Sequence, residues 1–244
     1  MAKKHDTLVF IPAWNEEQNL AGVLHELRRE LPDADVLVVD DGSTDRTPHI
    51  AREQGAEVLS FGENRGLRAA IAAGYGYAAE HGYEYCGRVD ADGQHPVEEL
   101  RKLIEVVRAG KSDVAVGSRY ATAGGNGFSR ERYKTSPARR LGTGLLRRSM
   151  EVVLDRPFHD ATSGMYAVNA KAMPILSQPY TSGAPEVEAV LRLHDEGLSV
   201  DEHPVEMRER ASGESKLQGK KALVLVLTVA GTLITAEALR RRRR

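Results

Sequence analysis

Val36-Leu37-Val38-Val39-Asp40-Asp41-Gly42-Ser43-Thr44-Asp45 decides the fold class. Four consecutive apolar residues suit a strand covered on both faces, as inside a parallel sheet. An acidic, turn-forming run follows at once and leads into a helix-like segment, Asp45 to Gln54. The same succession recurs along the first half of the chain. Leu8 to Ile11, Val58 to Phe61, Tyr85 to Val89 and Val114 to Val116 read as further buried strands. Glu16 to Glu30, Arg68 to His81 and Pro96 to Ala109 read as helices between them, with Ser43 and Thr44 or Pro96, Glu98 and Glu99 as start signals. Alternating βα units imply an α/β fold with a mostly parallel sheet. Right-handed crossovers then bring the loops after successive strands to one edge, where ligands usually bind.

Working outward, the 244 residues are 41% hydrophobic with a further 23 Gly, the make-up of an ordinary globular chain long enough for one large α/β domain. Lys and Arg (34) balance Asp and Glu (35), so the net charge of −1 provides no overall field for capturing nucleic acid. The single Cys86 excludes an intramolecular disulfide and a cysteine-cluster metal site, as expected of a reducing, cytoplasmic location. Met1 to Asp6 is polar and the next apolar run is short, so no signal peptide is expected.

Gly117 to Ser136, with Gly124, Gly125 and Gly127, reads as a mobile loop over the site, and Ala138 to Leu154 as a helix. Gly164 to Val168, Pro185 to Glu196 and Val200 to Met207 read as strand, helix and strand, a mixed extension that makes 1–218 one domain. Residues 219–244 carry an apolar segment, Ala222 to Ala236, bracketed by Lys220, Lys221 and Arg240 to Arg244. It is shorter than the ~20 residues of a spanning helix. It is expected to pack on the domain or on a partner subunit, or to lie flat on an anionic cytoplasmic surface.

Two acidic strand ends carry the chemistry. Asp40 and Asp41 can accept hydrogen bonds from a base or ribose, or form a capped strand-to-helix turn. The second run, Asp90-Ala91-Asp92-Gly93-Gln94-His95-Pro96, places two carboxylates one small residue apart with a neutral Gln94 oxygen. Such hard donors suit Mg²⁺ or Mn²⁺, with a diphosphate completing the shell. His95 has no second His or Cys at ligand spacing and reads as a helix-start residue. Neither a P-loop nor a G-x-G-x-x-G after the first strand is present, so phosphate is not held in the manner of kinases or dinucleotide enzymes. Arg130, Arg132, Lys134, Arg139, Arg140, Arg147 and Arg148 face one acid, Glu131. That run is either a solvated helix face or a surface for an anionic acceptor or headgroups. Tyr133 alone is too few aromatics for stacking nucleic acid.

The chain resembles glycosyltransferase family 2, with its GT-A fold, in the branch that acts on polyprenyl or dolichol phosphate. The elements come in the family's order over most of residues 7–218: Ile11-Pro12-Ala13-Trp14-Asn15-Glu16-Glu17, Val39 to Asp45, Asn64-Arg65-Gly66-Leu67, Asp90 to Pro96, Val116-Gly117-Ser118-Arg119-Tyr120, Asp160-Ala161-Thr162-Ser163-Gly164 and Arg210 to Leu217. The resemblance implies a nucleoside pocket at Pro12, Trp14, Glu16, Asp40 and Asp41, and a metal site at Asp90, Asp92 and Gln94. It implies acceptor-phosphate docking at Arg119, Arg132 and Ser136, and late phosphate contacts at Arg210, Ser215 and Lys216. Two positions depart from the pattern: Arg68 where the family often has a second Gly, and Tyr166 where many relatives have Arg.

The expected reaction is inverting hexosyl transfer from a GDP- or UDP-sugar. Its catalytic group is Asp92, Arg119, Arg132, Ser136, Arg210 and Lys216, with Mg²⁺ or Mn²⁺ as cofactor. A polyprenyl phosphate is the favoured acceptor, on a chain peripherally associated with the inner membrane face, as a monomer or a homo-oligomer. A hydroxyl acceptor on a glycan, protein or metabolite would need a base, for which Glu186, Glu188 and Asp160 are candidates. Glu186 and Glu188 are two apart on a helix, so at most one faces the cleft. A non-catalytic nucleotide-sugar-binding scaffold is the alternative outside catalysis. A sugar-1-phosphate nucleotidyltransferase would need a Gly-rich loop where Pro12-Ala13-Trp14-Asn15-Glu16 stands.

Overall fold

Along the first strand, alternate side chains serve two different cores. Leu8 and Phe10 pack into one apolar cluster, Val9 and Ile11 into the other. Such an all-apolar strand must be covered on both faces. The computed structural model describes residues 4–120, 150–151, 154, 157–160, 163–182 and 184–208. In chain order its elements are β1 (Thr7–Ala13), α1 (Leu20–Glu30), β2 (Ala34–Asp40), α2 (Thr47–Glu53), β3 (Glu57–Ser60), α3 (Leu67–Glu80) and β4 (Tyr85–Arg88). There follow α4 (Val97–Arg108), β5 (Val114–Ser118), β6 (Tyr166–Asn169), α5 (Met173–Leu176), α6 (Pro185–Asp195) and β7 (Val200–Pro204).

The strands form one sheet in the order β3-β2-β1-β4-β6-β5-β7. All neighbours run parallel except β6, which is antiparallel to both β4 and β5. Helices α1, α2 and α4 cover one face, and α3, α5 and α6 the other. In α4 the buried residues Val97, Leu100, Leu103, Ile104 and Val107 recur at helical spacing and form a stripe on the sheet. Each such side chain stabilises the fold by about 1.5–3 kcal/mol. Helix α3 comes close to β1 at Gly74, where a Cβ would lie 2.3 Å from the Phe10 ring.

Several expected boundaries move for local reasons. Helix α1 begins at Leu20 rather than Glu16, because the Glu16 carbonyl accepts the N–H groups of both Asn19 and Leu20 in a turn. Helix α2 begins at Thr47, and Asp45 rather than Ser43 or Thr44 accepts the Thr47 N–H, at 2.9 Å. Strand β5 runs to Ser118, two residues into the expected loop, because Gly117 and Ser118 pair with His203 and Pro204 of β7. The rest of that loop, most of the helix expected over 138–154, and the apolar segment 222–236 lie outside the described residues. Among the described residues no helix is long and apolar enough to cross a membrane.

At the opposite sheet edge Asp113 ties β5, β6 and β7 together. It accepts the Ser199 N–H and hydroxyl at 3.0 and 2.8 Å, and the Asn169 amide at 2.7 Å. Burial by itself would raise its pKa. The hydrogen bonds from Ser199 and Asn169, with the charge of Lys171, instead bring it down to about 2 from 3.8.

Gly74→Ala is expected to lower the melting temperature, because overpacking against Phe10 costs about 1–3 kcal/mol, more than the up to ~1 kcal/mol that alanine adds in a helix interior. A thermal melt reads this directly. Because Asp113 has a depressed folded pKa, its contribution is complete above pH 3.8 and is lost as the pH falls through about 2. Asp113→Asn should flatten that part of the stability-versus-pH curve, as measured by denaturant unfolding between pH 5 and about pH 2.

Candidate active site

The C-terminal ends of β1, β2, β4 and β5 point to one edge, and backbone N–H groups there are held by carboxylates. Pro12 fits its central strand because Phe10, two residues earlier, already makes the last contact toward β4 by accepting the Val89 N–H. By two-residue alternation Pro12 faces the same side, beyond the paired residues, where no ladder donor is required. After β1 the chain turns at Asn15, which has φ of +53°. The Asn15 N–H donates to Ser43 Oγ at 3.0 Å, and its side-chain oxygen accepts the Thr44 N–H at 2.9 Å. Glu16 N–H donates to Thr47 Oγ1, Glu17 N–H to Asp45, and Arg46 N–H to Glu17. The loops after β1 and β2 are thereby clasped together.

Asp40 and Asp41 are both buried. Asp40 accepts the Ser43 N–H at 3.0 Å and the Ser60 hydroxyl at 2.7 Å. Asp41 accepts the N–H groups of Arg65 at 2.6 Å and Gly66 at 2.9 Å. Gly42 has φ of +69°, and a Cβ there would lie 2.3 Å from the Glu63 carbonyl carbon, so the turn requires glycine. Trp14 stands 43% exposed at this edge, and Glu16 accepts the Asn19 amide at 2.9 Å. Arg68, at the departure from the second Gly, donates to the Ser182 carbonyl at 3.0 Å and straps the start of α3 to the loop before α6.

The acidic turn after β4 is braced from several sides. His95, buried beside Pro96 at the start of α4, turns its ring back so that Nδ1 accepts the Asp90 N–H at 3.1 Å. The proton then sits on Nε2, 3.9 Å from Asp90 Oδ2. Burial lowers the His95 pKa against the opposing pull of Asp90 and Asp92, so the ring stays neutral. Asp92 accepts the Gln94 N–H at 3.0 Å, and the Gln94 carbonyl accepts the Arg208 N–H at 3.0 Å. Arg208 and the Val97 N–H share the Glu26 carboxylate. Gly164 packs so closely that a Cβ would lie 2.6 Å from Asp90 Oδ2. Asp90, Asp92, Arg88 and Arg119 all act electrostatically on His95, which places the end of β5 beside the turn. Among the described residues no three His, Cys, Asp or Glu side chains converge as a ready-made metal cage.

Residues 8–172 match the family model described as Glycosyl transferase family 2. The chain belongs to this family. It is 31% identical to a polyprenol monophosphomannose synthase of Mycolicibacterium smegmatis over 92% of this chain and 85% of that protein. To an undecaprenyl-phosphate mannosyltransferase of Micrococcus luteus it is 33% identical, over 87% of each. A crystal structure of glucosyl-3-phosphoglycerate synthase from Mycobacterium tuberculosis, in complex with Mn²⁺, UDP and phosphoglyceric acid, has a TM-score of 0.68 at 19% identity. It covers 94% of this chain and 78% of that one. The fold is GT-A, and the protein is a glycosyltransferase.

In this glycosyltransferase the three candidate bases have distinct surroundings. Asp160 is buried and accepts the Arg119 N–H, Nε and Nη2 at 3.0, 2.8 and 2.7 Å. Its own N–H and that of His159 donate to Glu202, each at 2.6 Å. Glu188 accepts the N–H groups of Thr181 and Ser182 and pairs with Arg192. Burial would raise the Glu188 pKa, but those hydrogen bonds and Arg192 hold it below the ordinary value. Glu186 faces the acidic turn instead and accepts from Arg88 at 3.2 Å. Burial raises its pKa in spite of that arginine.

Arg132, Ser136, Arg210, Ser215 and Lys216 lie outside the described residues. Arg208, anchored at Gln94, comes two residues before Arg210. Sequence reasoning missed Arg88, Asn15 and the Glu26–Arg208 pair. The Arg of Tyr85-Cys86-Gly87-Arg88 in an apolar strand was a signal that could have drawn attention. Tyr166, the other departure from the family pattern, is the cross-strand partner of that Arg88.

Asn15→Ala is expected to lower stability by about 1–2 kcal/mol, through left-handed strain and the lost bond to Thr44. Asn15→Gly, which removes the bond but tolerates the backbone, should cost less. Urea midpoints of the two variants at pH 7 test the order.

Proposed function

We propose that the protein catalyses inverting, metal-dependent transfer of a hexose from a nucleotide-diphospho-sugar to a polyprenyl phosphate at a membrane surface. The observation that carries this reading is the state of the three candidate bases. Asp160 is held by the backbone N–H and guanidinium of Arg119, Glu188 is spent on backbone N–H groups and Arg192, and Glu186, though burial raises its pKa, turns its carboxylate onto Arg88. A hydroxyl acceptor needs a group ready to take a proton. A phosphate acceptor is already anionic and needs only positive charge and orientation. The two mannosyltransferase relatives, both named for polyprenyl-type phosphates, support the same acceptor.

Pro12, Trp14, Glu16, Asp40 and Asp41 would line the nucleoside side of the cleft. Asp90 and Asp92, with Gln94, would hold a Mg²⁺ or Mn²⁺ ion. The donor set fits such an ion: the carboxylates and amide offer hard oxygens, and of the His95 ring nitrogens Nδ1 is occupied by the Asp90 N–H while Nε2 carries the proton. When bound, such an ion offsets charge that grows on the departing diphosphate. The related synthase structure containing Mn²⁺ and UDP supports that choice of ligands. Arg119, held rigid by Asp160, would present its guanidinium to the acceptor phosphate, with Arg132 and Ser136 as further docking residues. Arg210, Ser215 and Lys216 would contact donor or acceptor phosphate. Attack on the anomeric carbon from the face opposite the diphosphate gives inversion. The single-domain boundary at 218 and the docking of 219–244 on an anionic, cytoplasmic membrane face belong to the same proposal.

The test incubates the full chain with labelled UDP- or GDP-hexose, Mn²⁺ and a polyprenyl phosphate in anionic vesicles. A lipid-extractable, acid-labile labelled product is expected, abolished by EDTA and restored by added Mn²⁺. Asp92→Ala should lower kcat/KM by about 100-fold or more, as for loss of a group that stabilises developing charge. Label appearing only on a hydroxyl acceptor, or transfer indifferent to EDTA and to Asp92→Ala, would overturn the reading.

A further inference from the structure

The strand that delivers the acidic turn carries one residue out of keeping with its surroundings. Arg88 ends β4, is 3% exposed, and acts electrostatically on the buried Tyr75, Tyr166 and Tyr180. Its Nε is buried without a hydrogen-bond partner, as is the Tyr166 hydroxyl opposite. A buried guanidinium with an unmet donor costs desolvation that an aliphatic side chain would not. Packing therefore does not account for this arginine, whereas its charged contacts do. One nitrogen, Nη2, lies 3.4 Å from Asp90 Oδ1 and 3.2 Å from Glu186 Oε1. The first carboxylate belongs to the acidic turn, and the second to the first turn of α6.

The two contacts differ in their surroundings. Asp90 is 37% exposed in its side chain and Glu186 only 17%, so water screens the contact with Asp90 more than that with Glu186. Glu186 is also the nearer of the two. Both carboxylates pull on the arginine's charge, Asp90 first and Glu186 second, so neither has the guanidinium to itself. Removing the guanidinium would set two carboxylates side by side without a cation between them. Removing the Glu186 charge would leave Arg88 paired with Asp90 alone.

We propose that Arg88 is a positioning residue: shared between Asp90 and Glu186, it fixes the Asp90 carboxylate for a divalent cation, while Glu186 keeps Arg88 from competing with that cation. This rests on the metal reading above. It assigns Glu186 the role of counter-ion to Arg88, not that of a base.

The experiment titrates Mn²⁺ by electron paramagnetic resonance into the full chain with saturating UDP or GDP, whichever raises the wild-type melting temperature. Each variant is read below its own melting temperature. Arg88→Met and Glu186→Gln are expected to weaken Mn²⁺ binding by about 10-fold or more, the range for loss of groups that orient a metal ligand. Arg88→Lys, which keeps a cation between the carboxylates, should recover most of the affinity. A merely structural role predicts lower melting temperatures with unchanged Mn²⁺ affinity in the folded protein, and that result overturns the inference. Should Arg88→Met fail to fold, Glu186→Gln and Arg88→Lys decide: Glu186→Gln binding Mn²⁺ as wild type does, or Arg88→Lys binding as weakly as Glu186→Gln, overturns it, and weakened binding by Glu186→Gln beside near wild-type binding by Arg88→Lys supports it. A wild type that binds no Mn²⁺ overturns the metal reading and this inference together. Unchanged variants beside a binding wild type overturn this inference alone.

Discussion

Backbone N–H groups captured by carboxylates hold the working edge of this protein together. A loop that leaves a parallel strand exposes donors that no neighbouring strand can satisfy, and an unmet buried donor is costly. Here Asp40, Asp41, Asp45, Asp92, Asp160, Glu188 and Glu202 each accept at least one such N–H. The loops gain a fixed shape without regular secondary structure.

The same device concentrates negative charge along one edge, and the rest of the site follows from how that charge is met. Arg119 answers Asp160, Arg192 answers Glu188, and Arg208 answers Glu26. Arg88 is divided between Asp90 and Glu186. Burial keeps His95 neutral, so it braces the acidic turn without adding charge. Asp90 is the most exposed member of the Arg88 cluster.

Close backbone approach is the second constraint. Gly42 lets the loop after β2 touch the one after β3, and Gly164 lets the segment before β6 lie against Asp90 and His95. In both places a methyl group would meet backbone or a site carboxylate, so the approach of these segments is set where side chains are missing.

Much of this was written in the sequence. Apolar runs ending in Asp40 and Asp90 specified buried parallel strands with acidic ends, because burial on both faces and turn chemistry are local properties. The apolar spacing of α4 and the Pro at the start of α6 are local in the same way. Only the tertiary structure decided the rest. That β6 enters antiparallel between β4 and β5 depends on pairing between residues some eighty apart in the chain, as in Cys86 with Val168. The different fates of Glu186 and Glu188 depend on what each meets across space: Arg88 for one, and the N–H groups of Thr181 and Ser182 for the other. Periodicity tells a strand from a helix, but it does not name the partner of a buried charge, since that partner comes from another part of the chain.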